Sequence, residues 1–266
     1  MLKVLLTRRW LAALAAAAVF ALACFYLGRW QWGRHVTAHA KAHRITSHYT
    51  AAPEPLGRAL PGVGTPLPLA KEWTPVRVTG TYDAEGLQLV RNRPNDGNYG
   101  YEVVVPLQVP GGALLVDRGW IDNAQTAASR PDIPATPTGT VTVTGWLRRG
   151  EPSLHKEMPA GQLASINLPE AAQATGTHLY GGYLIVKSEQ SASSEPIARA
   201  TPLAAPDTDE GPHLAYAFQW WLFGVAGFVL VGVGIRREAA EQEAVAAGLP
   251  PQPKPKKVRI WDEEDA

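Results

Sequence analysis

Two apolar runs bracket this chain and constrain it more than any other feature: Trp10 to Leu27 near the start and Ala215 to Ile235 near the end. Each has about the length a helix needs to cross a hydrocarbon core of ~30 Å. The first leaves through Gly28-Arg29-Trp30-Gln31-Trp32-Gly33-Arg34, and the second is entered through His213-Leu214-Ala215-Tyr216-Ala217-Phe218-Gln219-Trp220-Trp221. A plain anchor needs only grease and a Trp or two at its ends. Histidine, glutamine and arginine gathered among the aromatics at one interface point to helices that hold something there.

Composition narrows the rest. The chain has 266 residues and a formal charge of +1, from 25 Lys+Arg against 24 Asp+Glu, so it lacks the basic excess of a nucleic-acid binder. Its one cysteine, Cys24, lies inside the first run, which excludes an intrachain disulfide and a thiolate zinc site. With two methionines, Met1 and Met158, a Cys/Met copper-delivery site is disfavoured. Ala21-Leu22-Ala23-Cys24 resembles a cleaved lipoprotein signal. Alanine three places before the cysteine, and an apolar run continuing through Phe25, Tyr26 and Leu27, favour an uncleaved anchor instead. Lys3, Arg8 and Arg9 before the first run, and Arg236 and Arg237 after the second, place both termini in the cytoplasm. The opposite vote of Arg29, Arg34, Lys41 and Arg44 is weakened by the long translocated segment they precede.

The expected architecture is an α+β membrane protein in which two transmembrane helices flank an extracytoplasmic β-rich domain, a small barrel or sandwich. Its boundaries are a cytoplasmic N-terminus over 1–9, helices over 10–28 and 213–235, and a helical extension with a Pro/Gly-rich connection over 29–72. The β-rich domain takes 73–188, a linker 189–212 and a disordered cytoplasmic tail 236–266, which a short Glu/Ala-rich helix opens. Strands are expected at Val76–Tyr82, Leu87–Arg91, Tyr101–Val109, Ala113–Ile121, Val141–Leu147 and Tyr183–Lys187, with one short helix at Pro169–Thr175. Pro110-Gly111-Gly112 reads as a hairpin turn, because glycine takes positive φ freely. Arg93 to Tyr101 reads as a loop before a strand.

Several clusters carry possible chemistry. His213, Tyr216, Ala217 and Trp220 share one helix face. An imidazole among aromatics is suited to axial ligation of haem iron; spacing alone favours a plain interfacial histidine in an aromatic belt. His35, His39 and His43 form a ridge four residues apart, which fits a metal pair less well than a solvated amphipathic helix. Arg93 and Arg118 suit a bidentate clamp on a propionate or another carboxylate; equally, Arg118 and Asp117 suit a structural ion pair with Trp120 in the core. Without an elbow-like Gly-x-Ser-x-Gly, a hydrolase lacks support.

Taken together, the clusters resemble the Surfeit locus protein 1 family. Leu27-Gly28-x-Trp30-Gln31-x-x-Arg34 is similar to its first-helix motif, and His213-Leu214-x-Tyr216-Ala217-x-Gln219-Trp220 to its second-helix motif. Between them, Arg93 with Gly97, Gly100-Tyr101, Val103 and Pro106-Leu107 resembles its central motif. Arg118-Gly119-Trp120-Ile121, followed by Gly145-Trp146-Leu147, resembles its most recognisable stretch. The connection at 51–70, the tail and the histidine ridge lie outside the motif set.

The resemblance implies an assembly factor, not an enzyme, that serves haem–copper cytochrome c oxidase in a bacterial cell membrane. It would bind haem a transiently at the outer face and assist its insertion into the oxidase's catalytic subunit. The implied partners are that subunit with its respiratory complex and membrane lipid, without nucleic acid. His213 is the implied metal ligand. Tyr216, Trp220, Trp30, Gln31, Arg34 and Arg118 are the other expected cofactor-binding residues, the aromatics (with Trp221) packing the ring and Arg29, Arg34 or Arg118 taking the propionates. The alternative is a structural accessory or scaffold of the oxidase that never touches haem, its aromatics forming helix–helix contacts bridged by Gln31 or Gln219.

Overall fold

The computed structural model describes residues 1–60, 62–124, 131–192 and 197–248. In chain order the elements are α1 (Leu2–Leu5), α2 (Arg8–His48), β1 (Glu54–Pro55), α3 (Leu56–Ala59), β2 (Pro75–Tyr82), β3 (Gln88–Asn95), β4 (Asn98–Val109), β5 (Gly112–Asp122), β6 (Thr140–Arg148), β7 (Gln162–Leu163), α4 (Leu168–Thr175), β8 (Leu179–Ser191) and α5 (His213–Ala246). They form two compact units, Met1–Ala38 with Glu210–Ala266, and His39–Asp209.

In the helical unit, α2 and α5 are long and apolar enough to cross a membrane by length and composition. Both present a stripe that steps alternately by four and three residues. On α2 it is Ala17, Ala21, Cys24, Gly28, Gln31 and His35; on α5 it is His213, Ala217, Trp220, Gly224, Gly227 and Val231. All are buried or half-buried, whereas Val19 and Leu230 on the outer faces are 70% and 72% exposed. A mean step of about 3.5 residues keeps one stripe against a neighbouring helix over many turns.

The helices run antiparallel, with Trp10 Nε1 donating to Glu238 Oε2 at 2.9 Å at one end and Gln31 meeting His213 at the other. Small residues let the backbones close in. A Cβ on Gly224 would stand 3.4 Å from the Cys24 Cβ. Each helix also seats a tryptophan over a glycine of the other. A Cβ on Gly28 would come 2.2 Å from Trp221 Nε1, and one on Gly234 would come 2.4 Å from Trp10. The expected helical lead into the tail is longer than a short segment, since α5 continues to Ala246; residues 249–266, the rest of that tail, lie outside the described residues.

In the β unit the sheet order is β1-β2-β6-β8-β5-β4-β3-β7, and β4 also pairs back to β2 through Thr81↔Gln108 and Tyr82↔Leu107. The hydrogen-bonded path β2-β6-β8-β5-β4 thus returns to its start. Inside it lie the fully buried Val76, Leu107, Leu114, Val116, Val143, Leu147 and Leu184. The Pro110-Gly111 turn joins β4 to β5, with Gly111 at φ +92°. Three segments differ from the sequence expectation. Arg93 to Tyr101 is a hairpin, not a loop: Asn95 pairs with Asn98 across Asp96-Gly97, both at positive φ, as a two-residue turn of this hand requires. The connection after α2 is part of the core, because β1 pairs with β2 and Leu56, Ala59, Leu60 and Leu67 are buried. Residues 189–191 of the expected linker belong to β8, and Thr201 bridges to Trp120.

Replacing Gly28 by leucine is expected to part the helices at Trp221 and destabilise their pairing by roughly 1–3 kcal/mol, an overpacking cost. Tryptophan emission and thermal melting of the purified protein in detergent test this. Gly33→Leu, at a position where a Cβ meets nothing within 4 Å, is the control that should leave both unchanged.

Candidate functional site

The interfacial cluster forms where α2 and α5 meet near His213. His213 is the first residue of α5; the preceding Gly211 turns the chain at φ +64°. Its Nδ1 lies 2.9 Å from Gln31 Oε1, where a protonated Nδ1 donates to the amide oxygen. That tautomer leaves the Nε2 lone pair for a ligand, the arrangement in which a partner on one ring nitrogen orients the other. No side chain from residue 211 covers it: a Cβ on Gly211 would stand 3.5 Å from Nε2. Beside this pair, His35 Nδ1 is 3.8 Å from Glu210 Oε2.

The next layer is an aromatic triangle. Trp32 meets Trp221 at a centroid distance of 6.1 Å and Phe218 edge-on at 6.5 Å, and Phe218 meets Trp221 edge-on at 5.6 Å. Edge-to-face geometry is what the ring quadrupoles favour. Trp32 and Phe218 were not among the expected site residues. Their signal was position, since both flank the four-three stripe. Of the expected ring-packers, Trp221 belongs to this triangle and the other three lie outside it. Trp30 is 56% exposed, with the Arg34 guanidinium 5.6 Å over its ring, and Tyr216 is 45% exposed. Trp220 is half-buried against Phe223. The structure therefore brings His213 and Gln31 together, and directs Trp30, Arg34 and Tyr216 outward. Among the described residues no three His, Cys, Asp or Glu side chains are arranged to hold a metal ion, the His35/His39/His43 ridge included.

Arg118 belongs to the β unit and is fully engaged there. It is 2% exposed, and its Nε and Nη2 donate to the two oxygens of Glu189 at 3.0 and 3.3 Å. It also donates to the carbonyls of Ala198 at 2.9 Å and Ala135 at 3.3 Å, and lies over the Tyr82 ring. Of the two uses open to it, this is an ion pair, but with Glu189 in place of the expected Asp117, whose Oδ1 accepts from the Gly119 N–H. Gly119 sits at φ +118° against Thr201, Trp120 Nε1 donates to the Arg93 carbonyl at 2.8 Å, and a Cβ on Gly100 would strike the Trp120 ring at 2.6 Å. Trp146 stacks on Tyr49 at 4.2 Å and donates to its carbonyl at 2.9 Å, which fastens the chain after α2 to β6. The motifs of this unit hold its strands and flanking segments together.

Arg93 is likewise paired, 2.8 Å from Glu102 and 2.6 Å from Glu151. Burial pushes the Glu102 carboxyl up to about 7; Arg93 opposes the rise and Glu151 adds to it. Burial, reinforced by Glu102, also holds Asp117 well above the usual carboxylate range, although its Oδ1 accepts from the Gly119 N–H.

A model of the SURF1 family matches residues 18–225. Uncharacterized SURF1-like proteins of Mycobacterium tuberculosis and Mycobacterium bovis are 33% identical to this chain over 258 residues, covering 94% of it and 92% of their own length.

Two outcomes test the β unit. Glu189→Ala leaves the buried Arg118 charge unpaired and is expected to cost roughly 3–5 kcal/mol in urea unfolding; adding Arg118→Met should recover part of that loss. Glu102 has a folded pKa above its unfolded value of about 4.3, so its contribution to stability is complete below that value and is lost as pH rises through about 7. The melting temperature of Glu102→Gln should therefore gain on the wild type steadily between pH 5 and 8.

Proposed function

This chain belongs to the SURF1 family, and we propose that it is an assembly factor for haem–copper cytochrome c oxidase, holding haem a transiently at the outer face of a bacterial cell membrane. In this reading it assists insertion of haem a into the oxidase's catalytic subunit and is a carrier, not an enzyme. α2 and α5 span the membrane, both termini are cytoplasmic, and the closed strand circuit is a small extracytoplasmic barrel. The outward-facing apolar surfaces of both helices support the spanning reading, as do the basic residues Arg8, Arg9, Arg236 and Arg237 at the shared end.

The observation that carries the proposal is His213 Nδ1 held by Gln31 Oε1 at 2.9 Å. It supplies what an axial ligand needs: a fixed ring, a fixed tautomer and a free Nε2 beside a glycine. When bound, haem a supplies the iron that Nε2 coordinates and two anionic propionates. With Arg118 already paired, the guanidinium groups left for those propionates are Arg29 and Arg34, both exposed on α2, and Arg34 would have to turn in from its place over the Trp30 ring. Trp32, Phe218 and Trp221 give the apolar wall. A single protein ligand such as His213 would suit a carrier, which must release its cargo.

A second reading, a scaffold that never touches haem, is favoured by one feature. Trp32, Phe218 and Trp221 pack against one another, while Trp30 and Tyr216 face outward, where a neighbouring helix would meet them.

Protein purified from cells that make haem a decides between the two. His213→Ala should remove the haem a absorption band. Gln31→Leu should weaken binding by about tenfold or more, the usual cost of losing a group that orients a ligating histidine. Unchanged stoichiometry and spectrum in His213→Ala would end the carrier reading. Absence of a band in wild type and variant, with oxidase still co-purifying, would establish the scaffold.

A further inference from the structure

One cavity of the helical unit is not used by the proposed haem site as described so far. It is a slot of about 370 Å³ lined by Ala21, Phe25, Trp221, Gly224, Val225 and Phe228, a size at the small end of small-molecule pockets. Its floor exists because Ala21 and Gly224 carry little or no side chain where the helices meet. Trp221, whose indole fills the place that a side chain on Gly28 would take, lines the slot as well, and the slot is open on the side where Phe25, Val225 and Phe228 are exposed. The Trp221 N–H points at the Phe25 carbonyl at 3.4 Å, so the ring is tethered to α2 as well as packed on it.

Trp221 is shared. It belongs to the triangle with Trp32 and Phe218, and it also lines the slot. Along α5, His213 and Gly224 are eleven residues apart, a rise of about 16 Å. A ligand fixed at His213 and occupying this slot therefore needs a flat head, to lie along the aromatic triangle, and a long flexible apolar tail. The lining residues, all apolar but for the Trp221 N–H already directed at Phe25, offer nothing to a polar substituent.

We propose that this slot binds the prenyl tail of the haem held by His213, and that Trp221 is the hinge point between ring and tail. The inference rests on the haem-carrier reading and adds to it a preference for haems that carry a long isoprenoid chain. The slot contributes through burial of the chain's carbons, and each methylene removed from water strengthens binding. Inside a bilayer part of that gain is already supplied by lipid, so the preference depends on how closely Phe25, Val225 and Phe228 fit the chain.

The test titrates the full-length protein in detergent with haem o and haem b, followed by the Soret band. These two haems share ring, iron and propionates and differ in the prenyl tail. Haem o should bind about tenfold or more tighter than haem b. Val225→Trp fills the slot from its outer wall, away from the helix seam, and should bring haem o down to the affinity of haem b while leaving haem b unchanged; retained haem b binding reports that the variant is folded. Val229→Trp, beyond the lining and 56% exposed, should alter neither. Equal affinity of wild type for both haems, or an undiminished preference in Val225→Trp, overturns the slot assignment. So does a phospholipid that native mass spectrometry finds bound in wild type, lost in Val225→Trp and not displaced by haem o. Loss of the His213 dependence for both haems would instead overturn the carrier reading itself.

Discussion

The ion pair between Arg118 and Glu189 is the contact on which the β unit depends. The side chains are 2% and 0% exposed, so two full charges have been taken out of water. That step costs several kcal/mol per ion unless the partners satisfy each other and their remaining hydrogen-bonding groups. Here they do: the guanidinium grips both carboxylate oxygens and two carbonyls, and the Tyr82 hydroxyl donates to Glu189 at 2.5 Å. One cluster thereby ties β2, β5 and β8 to the segments around Ala135 and Ala198. Since parallel neighbours such as β5 and β8 cannot be joined by a tight turn, a buried contact that accepts one register is a physical way to specify their pairing.

In the proposed membrane-spanning role, the helical unit meets a different constraint. Between two helices in an apolar surrounding, burial of hydrocarbon gives little net drive, and close packing with a few hydrogen bonds must suffice. The stripe of Ala17, Ala21, Cys24 and Gly28 against Gly224 and Gly227 permits the approach, and the tryptophans seated over Gly28 and Gly234 fix the helices lengthwise. The Gln31–His213 hydrogen bond follows from that alignment. The small residues that form the seam also leave a slot beside it, so the packing that builds the imidazole site shapes the apolar space next to it.

The motifs shared with the family divide by chemistry. Arg118, Gly119, Trp120, Gly145 and Trp146 are used in turns, bulges and buried pairs of the β unit, and Gly28 in the seam. Of the motif residues, His213 presents a ring with Nδ1 held by Gln31 and Nε2 beside Gly211. A recurrent motif residue is thus no guide by itself to a ligand; its partners in space decide whether it is structural.

The order of residues is enough for the parts whose physics is local. Two runs of apolar residues have helix length, the Pro110-Gly111 turn demands a backbone that glycine supplies, and period-two alternation marks strands such as β6. The Asp96-Gly97 turn is equally local, but Arg93 and Pro94 before it have the look of loop residues and mask the strand that leads into it. The four-three stripe was present in the sequence too, though a 3.6-residue face through His213, Tyr216 and Trp220 is easily taken for the functional one. Pairings between residues far apart in the chain came from packing alone. Arg118 is equally suited to a propionate or to Glu189, and nothing within its own strand chooses. Trp30 and Trp32 differ by about 200° around the helix, and only the position of α5 determines which of them becomes a wall. Local sequence sets the conformation of each segment; which charge or ring lies opposite which is set by packing, where each partner is chosen by the space the others leave.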